Sequence, residues 1–470
     1  MGLGRGGAPP WPTTLTAIAV IVVLVAGIVA AVRFEPRFPE EWDPRVADLA
    51  AFVAGERGLE FHYPVFVDFL DPEEFRRAVT GDEAELTETE VADLEQGAAF
   101  LRATGLASGP LDIFDSLNQL AGESTLAYYD PAEERITVRG THLSVGIEAT
   151  LVHELTHVLQ DQNFDLQRLE TFTSDGERNA FRAVVEGDAL RVEEEWAAQL
   201  GRRDRQTLDH ERVGEAAGVE LPEELPGALL ALFSAPYSLG LPFVEAVFAE
   251  LATDGVDAAL RDPPRSEEQL LDPFVYLDGN APQPVDLPPV GEGETLLEEG
   301  DFGALTWFLL LAEHLDPRQA LRATDGWGGD SYVAFEHDGR ACLRAAFRGD
   351  DPAETDQMAA VLAEWTAAVP ANDATVSRRD GEVVLESCDP GAGAEGAPGG
   401  GAQDALIYPV SRTYATLTAI SGGVGVEHAR CLGTEIVLAY SIDELLAFDE
   451  ILADPAILAE RSQQAATACR

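Results

Sequence analysis

The chain has 470 residues, too many for one ordinary compact domain, and its hydrophobic fraction of 46% is enough for a sizeable core. Acidic residues number 84 against 31 basic ones, for a formal net charge of −53. A surface this negative argues against nucleic acid and anionic lipid as partners and suits a hydrated extracellular face or a salty medium.

Leu15–Val32 is an uncharged run of 18 residues rich in Val, Ile, Ala and Leu. At about 1.5 Å per residue it just spans a hydrocarbon core, so a transmembrane helix is expected over 15–33, after a short cytoplasmic tail, 1–14. A cleaved secretory signal is the alternative, with Val29-Ala30-Ala31 as a cleavage site. Arg5 on one side and Arg33 and Arg37 on the other leave the flanking charge nearly balanced. The cysteines break the tie. Cys342, Cys388, Cys431 and Cys469 are widely spaced, lack C-x-x-C pairing and read as two disulfides, which require an oxidising compartment for the C-terminal side. The pairing Cys342–Cys388 and Cys431–Cys469 keeps each bond within one unit. Residues 34–44, with three prolines, form a juxtamembrane spacer.

Helical periodicity over 43–58 precedes a strand, His62–Leu70. Asp71 and Pro72 then open a helix as N-cap and first helical residue. A further helix covers 84–104. Ser124–Tyr129 and Arg135–Arg139 form a hairpin turned at Asp130-Pro131. A long helix runs from Val145 to about Gln162, capped by Ser144. A second starts at Ser174, which has capping-box spacing to Glu177, and ends near Leu200. The chain stays mainly helical to the Pro-rich stretch 281–289. Helices over 302–314 and 317–324 lead to strands Tyr332–Phe335 and Cys342–Phe347, with Asp338-Gly339 as the hairpin signal. A helix over 353–368 precedes strands 374–378 and 382–387, joined at Asp380-Gly381. Residues 389–403 are Gly-rich and read as a flexible linker, and 404–470 read as helical. The expected organisation is α+β, with a large domain over 45–290, a small α+β domain over 291–388, the linker, and a helical disulfide-bonded unit over 404–470.

His153-Glu154-Leu155-Thr156-His157 carries the chemistry. Residues four apart lie on one helix face, so both imidazoles reach one metal ion. Zn²⁺ suits imidazole nitrogen and a four-coordinate site with one open position. Glu154 projects beside the pair, where it acts as general base on a water without being a ligand. A third ligand is required. The elongated motif would have Gly at 160 and His at 163. Gln160 and Asn163 exclude it. Glu186 is the candidate, because a carboxylate in the apolar stretch 183–189 needs a partner and a metal is a good one. Gly187 lets its helix approach a neighbour closely. Glu193, Glu194 and Glu195 read as a solvated face. Asp188 lies about 200° around the helix from Glu186 and is a candidate partner for a ligand imidazole. Asp161, four residues after His157, is another. Tyr237, Tyr128 and Tyr129 are candidates for stabilising the transition state.

The segments HELTHVLQDQNFDL at 153–166 and VVEGDA at 184–189 resemble gluzincin metallopeptidases, in which HExxH and a downstream Glu bind zinc. They are similar in particular to a group of uncharacterised bacterial and archaeal surface proteins. The hairpin at Tyr129-Asp130-Pro131, PPRSEEQLLDP at 263–273 and Gly326–Asp330 extend the resemblance over roughly 45–345. It implies a zincin-like domain, one zinc ion at His153, His157 and Glu186, and Glu154 as base. It also implies that the hairpin strand before the motif helix is a sheet edge, able to bind an extended peptide by strand addition. The resulting expectation is a membrane-anchored, extracytoplasmic zinc metallopeptidase acting on a peptide or protein. An inactive surface binding protein of the same fold, and a zinc hydrolase of a non-peptide amide such as a cell-wall bond, are the alternatives.

Overall fold

The computed structural model describes residues 37–218, 225–394, 399–447 and 455–470. The expected tail and transmembrane helix lie outside them. Helices dominate, and two small sheets complete an α+β architecture. In the first sheet, β1 (Phe66–Leu70) runs parallel to β3 (Arg135–Arg139), and β2 (Ala127–Asp130) pairs with β3 antiparallel. Ile136 and Val138 are fully buried, so β3 takes the middle and β2 is left at the edge. The second sheet has the order β4-β5-β6-β8-β7, built from β4 (Thr295–Gly300), β5 (Trp327–His337), β6 (Arg340–Gly349), β7 (Thr375–Arg379) and β8 (Glu382–Cys388).

Both Asp-Gly hairpins form. Asp338, Gly339, Asp380 and Gly381 all have positive φ, as a two-residue turn of matching twist requires. Three features depart from the sequence expectation. β5 begins at Trp327 rather than Tyr332, because Gly328 and Gly329 press on neighbouring backbone. A Cβ on Gly329 would stand 2.2 Å from the Gln283 carbonyl oxygen. β4 lacks the alternation that marks a strand, since it is an edge with Leu296 and Leu297 exposed. The helix Ile113–Ser124, capped by Asp112, takes Ser124, where the first hairpin strand was expected to start, and β2 begins at Ala127.

The two long helices of the candidate site form as expected. The motif helix, Val145–Phe164, starts where Ser144 Oγ accepts from the Ile147 N–H at 3.3 Å. The glutamate helix, Asp175–Gln199, starts with Ser174 Oγ accepting from the Glu177 N–H at 3.2 Å. Across them lies the helix Gly227–Arg261, interrupted by Pro236, Pro242 and a non-helical Ala252. By length and composition it is the one helix among the described residues that could cross a membrane. A core helix meets the same test, and Leu239, Phe243 and Val247 are buried in the main core.

That core runs from Ala98 to Leu445 and takes side chains from all three of the expected folded units. A buried bidentate pair, Arg102 to Asp389 at 2.9 Å, ties the helix Glu88–Ala103 to the end of β8. Arg412 of the C-terminal helices reaches Asp325 and the Leu271 carbonyl. A smaller core, including Val53, Leu151 and Leu155, fills the space between the first sheet and the motif helix. Both expected disulfides are present, Cys342–Cys388 across β6 and β8 and Cys431–Cys469 in the C-terminal helices.

Candidate metal centre

The helical repeat puts His153 and His157 one turn apart, and the glutamate helix brings Glu186 to them. His153 Nε2 lies 3.2 Å and His157 Nε2 3.4 Å from Glu186 Oε2. One ligand atom from each of the three falls within 4.8 Å of the others, and all three side chains are buried or nearly so. The close packing of Gly187 sets the depth of Glu186. A Cβ there would stand 2.2 Å from Gly240 of the crossing helix, so only glycine permits the contact.

The remaining ring nitrogens are held by protein. His157 Nδ1 is 2.9 Å from Gln160 Oε1. The Gln160 amide nitrogen donates to the Val185 carbonyl at 3.0 Å and to Asp188 at 2.9 Å. Those two acceptors fix which way the amide points. Oε1 therefore faces His157, Nδ1 must carry the proton, and Nε2 turns its lone pair to the site. Arg57, almost fully buried, donates to Asp188 at 2.9 Å and to Asp257 at 2.7 Å. His153 Nδ1 lies 3.4 Å from Glu193, which Arg212 holds at 2.5 Å.

Three expectations are corrected by these contacts. Asp161 does not orient His157. It accepts from the Tyr129 hydroxyl at 2.7 Å and the Leu166 N–H at 2.8 Å, and Gln160 occupies the place beside the ring. Asp188 touches no imidazole and acts through Gln160. Glu193 is not on a solvated face, for its side chain is only 14% exposed. Its spacing was the missed signal: seven residues beyond Glu186 is two helical turns, hence the same face.

Glu154 Oε2 accepts from the Tyr129 N–H of edge strand β2 at 2.7 Å, and its other oxygen makes no hydrogen bond among the described residues. Burial raises its pKa against the pull of the two imidazoles. Burial would raise that of Glu186 as well, but His157 and His153 hold it well below the carboxylate range. Burial disfavours charge on both imidazoles, yet the surrounding carboxylates raise their pKa values, Glu186 and Glu193 around His153 and Glu186 beside His157. The site thus attracts positive charge, as protons or as a metal cation.

The group opens into a cleft of about 330 Å³ between β2 and the two helices. Tyr237 lines it from the crossing helix, with its hydroxyl against Arg182. The Glu186 charge, then burial, raises the pKa of that hydroxyl. Tyr128 and Tyr129 line the cleft too, but the Tyr129 hydroxyl is committed to Asp161.

The donor set fits a divalent transition metal. Two imidazoles with their Nδ1 atoms turned to protein acceptors and one carboxylate make the kind of three-ligand set that holds catalytic zinc with a position open. No family model matches the chain, and no curated protein or solved structure matches it.

Proposed function

We propose that this protein is a zinc-dependent metallopeptidase that works outside the cytoplasm, anchored by the apolar segment at 15–33. The observation that carries the reading is the convergence of His153, His157 and Glu186 beside Glu154, in a cleft bordered by an edge strand. Zinc bound there would supply a Lewis acid that polarises a carbonyl and makes water acidic near neutral pH. The chain supplies the rest. Glu154, held by the Tyr129 N–H, takes a proton from the attacking water and returns it to the leaving amine. Tyr237, protonated and lining the same cleft, donates to the oxygen that gains charge. Apart from the Tyr129 N–H, which donates to Glu154, the outer edge of β2 offers its backbone groups to an extended peptide. The two disulfides and the apolar N-terminal run support an extracytoplasmic location.

The test uses the full chain in detergent. Wild type is expected to hold one zinc, and Glu186→Ala to lose it. Unchanged zinc in that variant would remove Glu186 from the ligand set. Wild type is expected to cut a peptide library at least about 100-fold faster than Glu154→Gln, which keeps its zinc. Zinc binding without any cleavage would favour a binding protein built on the same site.

A further inference from the structure

The cleft holds a cation that the proposed chemistry does not use as a base, ligand or proton donor. Arg178 and Arg182 both line it from the glutamate helix. Arg178 is committed to Asp175 and to the Phe172 carbonyl. Arg182 has no carboxylate within ion-pair distance among the described residues, and its polar neighbour is the neutral Tyr237 hydroxyl. This occurs in a chain with 84 acidic residues to 31 basic ones, where the buried arginines Arg57, Arg102, Arg191 and Arg412 pair with acids, and where the half-buried Arg139 and Arg168 reach backbone carbonyls instead. Leu166, Leu169, Phe181, Val185 and Phe233 give the cleft an apolar part, and Glu170 and Asn179 line it as well. A guanidinium in such surroundings gains most from an anion with two oxygens in one plane.

Position narrows the choice. Arg182 precedes Glu186 by four residues, so the two share a helix face with their Cα atoms roughly 6 Å apart. An extended peptide advances about 3.4 Å per residue. A group bound by Arg182 therefore lies one or two residues from the bond held beside Glu154 and Glu186.

The geometry points to Arg182 as a carboxylate-binding subsite, so that the cleft selects peptides with a carboxylate one or two residues from the scissile bond. This rests on the peptidase reading for the bond but not for the binding. The carboxylate has two sources, a free C-terminus or an Asp or Glu side chain.

Full-length protein is tested on matched fluorogenic peptides. One arm compares free-acid with amidated C-termini. The other, with both ends blocked, compares Asp or Glu with Asn or Gln beside the cleaved bond. One arm is expected to show a preference of roughly 10- to 100-fold in kcat/KM, carried by KM, and it identifies the source. In Arg182→Gln the preference falls to near one, and Arg182→Lys restores part of it. A merely structural arginine would slow acid and neutral peptides alike and leave the ratio intact, which overturns the subsite. So does a wild type with no preference in either arm. Should no peptide be cut, calorimetric binding of the same peptides to Glu154→Gln, with and without Arg182→Gln, decides the subsite by itself. Arg182-dependent discrimination there would uphold it while the peptidase reading fails, and equal binding would sink it.

Discussion

Gln160 shows how much one side chain can gain from its neighbours. In the sequence it carries only negative information, standing where an elongated zinc motif has glycine. In the fold it joins the His157 ring to the Val185 carbonyl and to Asp188, and through Asp188 to buried Arg57. The Gln160 amide nitrogen has both of its acceptors, so the imidazole has one tautomer available. Gln160→Leu is expected to lower metal affinity about 10- to 100-fold, read by competition with a chromogenic chelator. Unchanged affinity would mean that the ring is held without the amide. Glu193 is the counterpart at His153. The two histidines were legible because their spacing is local to one helix, and Glu186 because it is a carboxylate in an apolar stretch. Their supporting residues were not, because a polar side chain on a helix looks the same whether it faces water or a ring.

At the level of elements, the centre depends on the crossing of the glutamate helix and the helix Gly227–Arg261. Each glycine at the crossing admits the other helix. A Cβ on Gly187 would strike Gly240, and one on Gly240 would stand 2.1 Å from the Ala183 carbonyl oxygen. Gly187→Ala must therefore push the helices apart, at a cost of about 1–3 kcal/mol. Glu186, the preceding residue, moves with its helix, so metal affinity is expected to fall in the same variant. Chemical denaturation and metal titration check the two effects. Loss of stability with metal affinity intact would show that the glutamate is placed independently of the crossing. The sequence shows Gly187 as a point of close approach, but its partner is remote along the chain. Pro236 and Pro242 also disguise the length of the helix that carries it.

Over the whole molecule, charge and burial act in the same direction. Three carboxylic acids sit in or near the main core with raised pKa values. Burial, and then the surrounding carboxylates, push Glu268 to about 9, while burial against hydrogen bonds that oppose it leaves Glu267 at about 8 and Asp330 at about 7. These groups are protonated when folded and ionised when unfolded between about pH 4.5 and those values. The folded state binds more protons in that window, so its stability falls as pH rises through it. Self-repulsion from a net charge of −53 has the same sign and is screened by salt. The melting temperature is expected to fall by several degrees from pH 5 to pH 9 and to rise with added NaCl, as calorimetry would show. An increase toward pH 9 would mean that these acids are ionised in the fold.

The sequence by itself determined the parts of this protein that depend on short-range order. These are the helix caps, the Asp-Gly hairpins, the HExxH pair, the glutamate in an apolar helix and the pairing of cysteines within local units. Periodicity, turn chemistry and spacing act over a few residues and are visible in a string. Only the tertiary structure decided which face of the glutamate helix Glu193 shares, what Gln160 and Asp161 hold, and that β2 borders the cleft. It also decided that the segments beyond residue 290 share a core with those before it. Those outcomes follow from packing between segments far apart in sequence. Burial at such contacts turns an ordinary polar residue into a hydrogen-bond partner, and no local pattern records it.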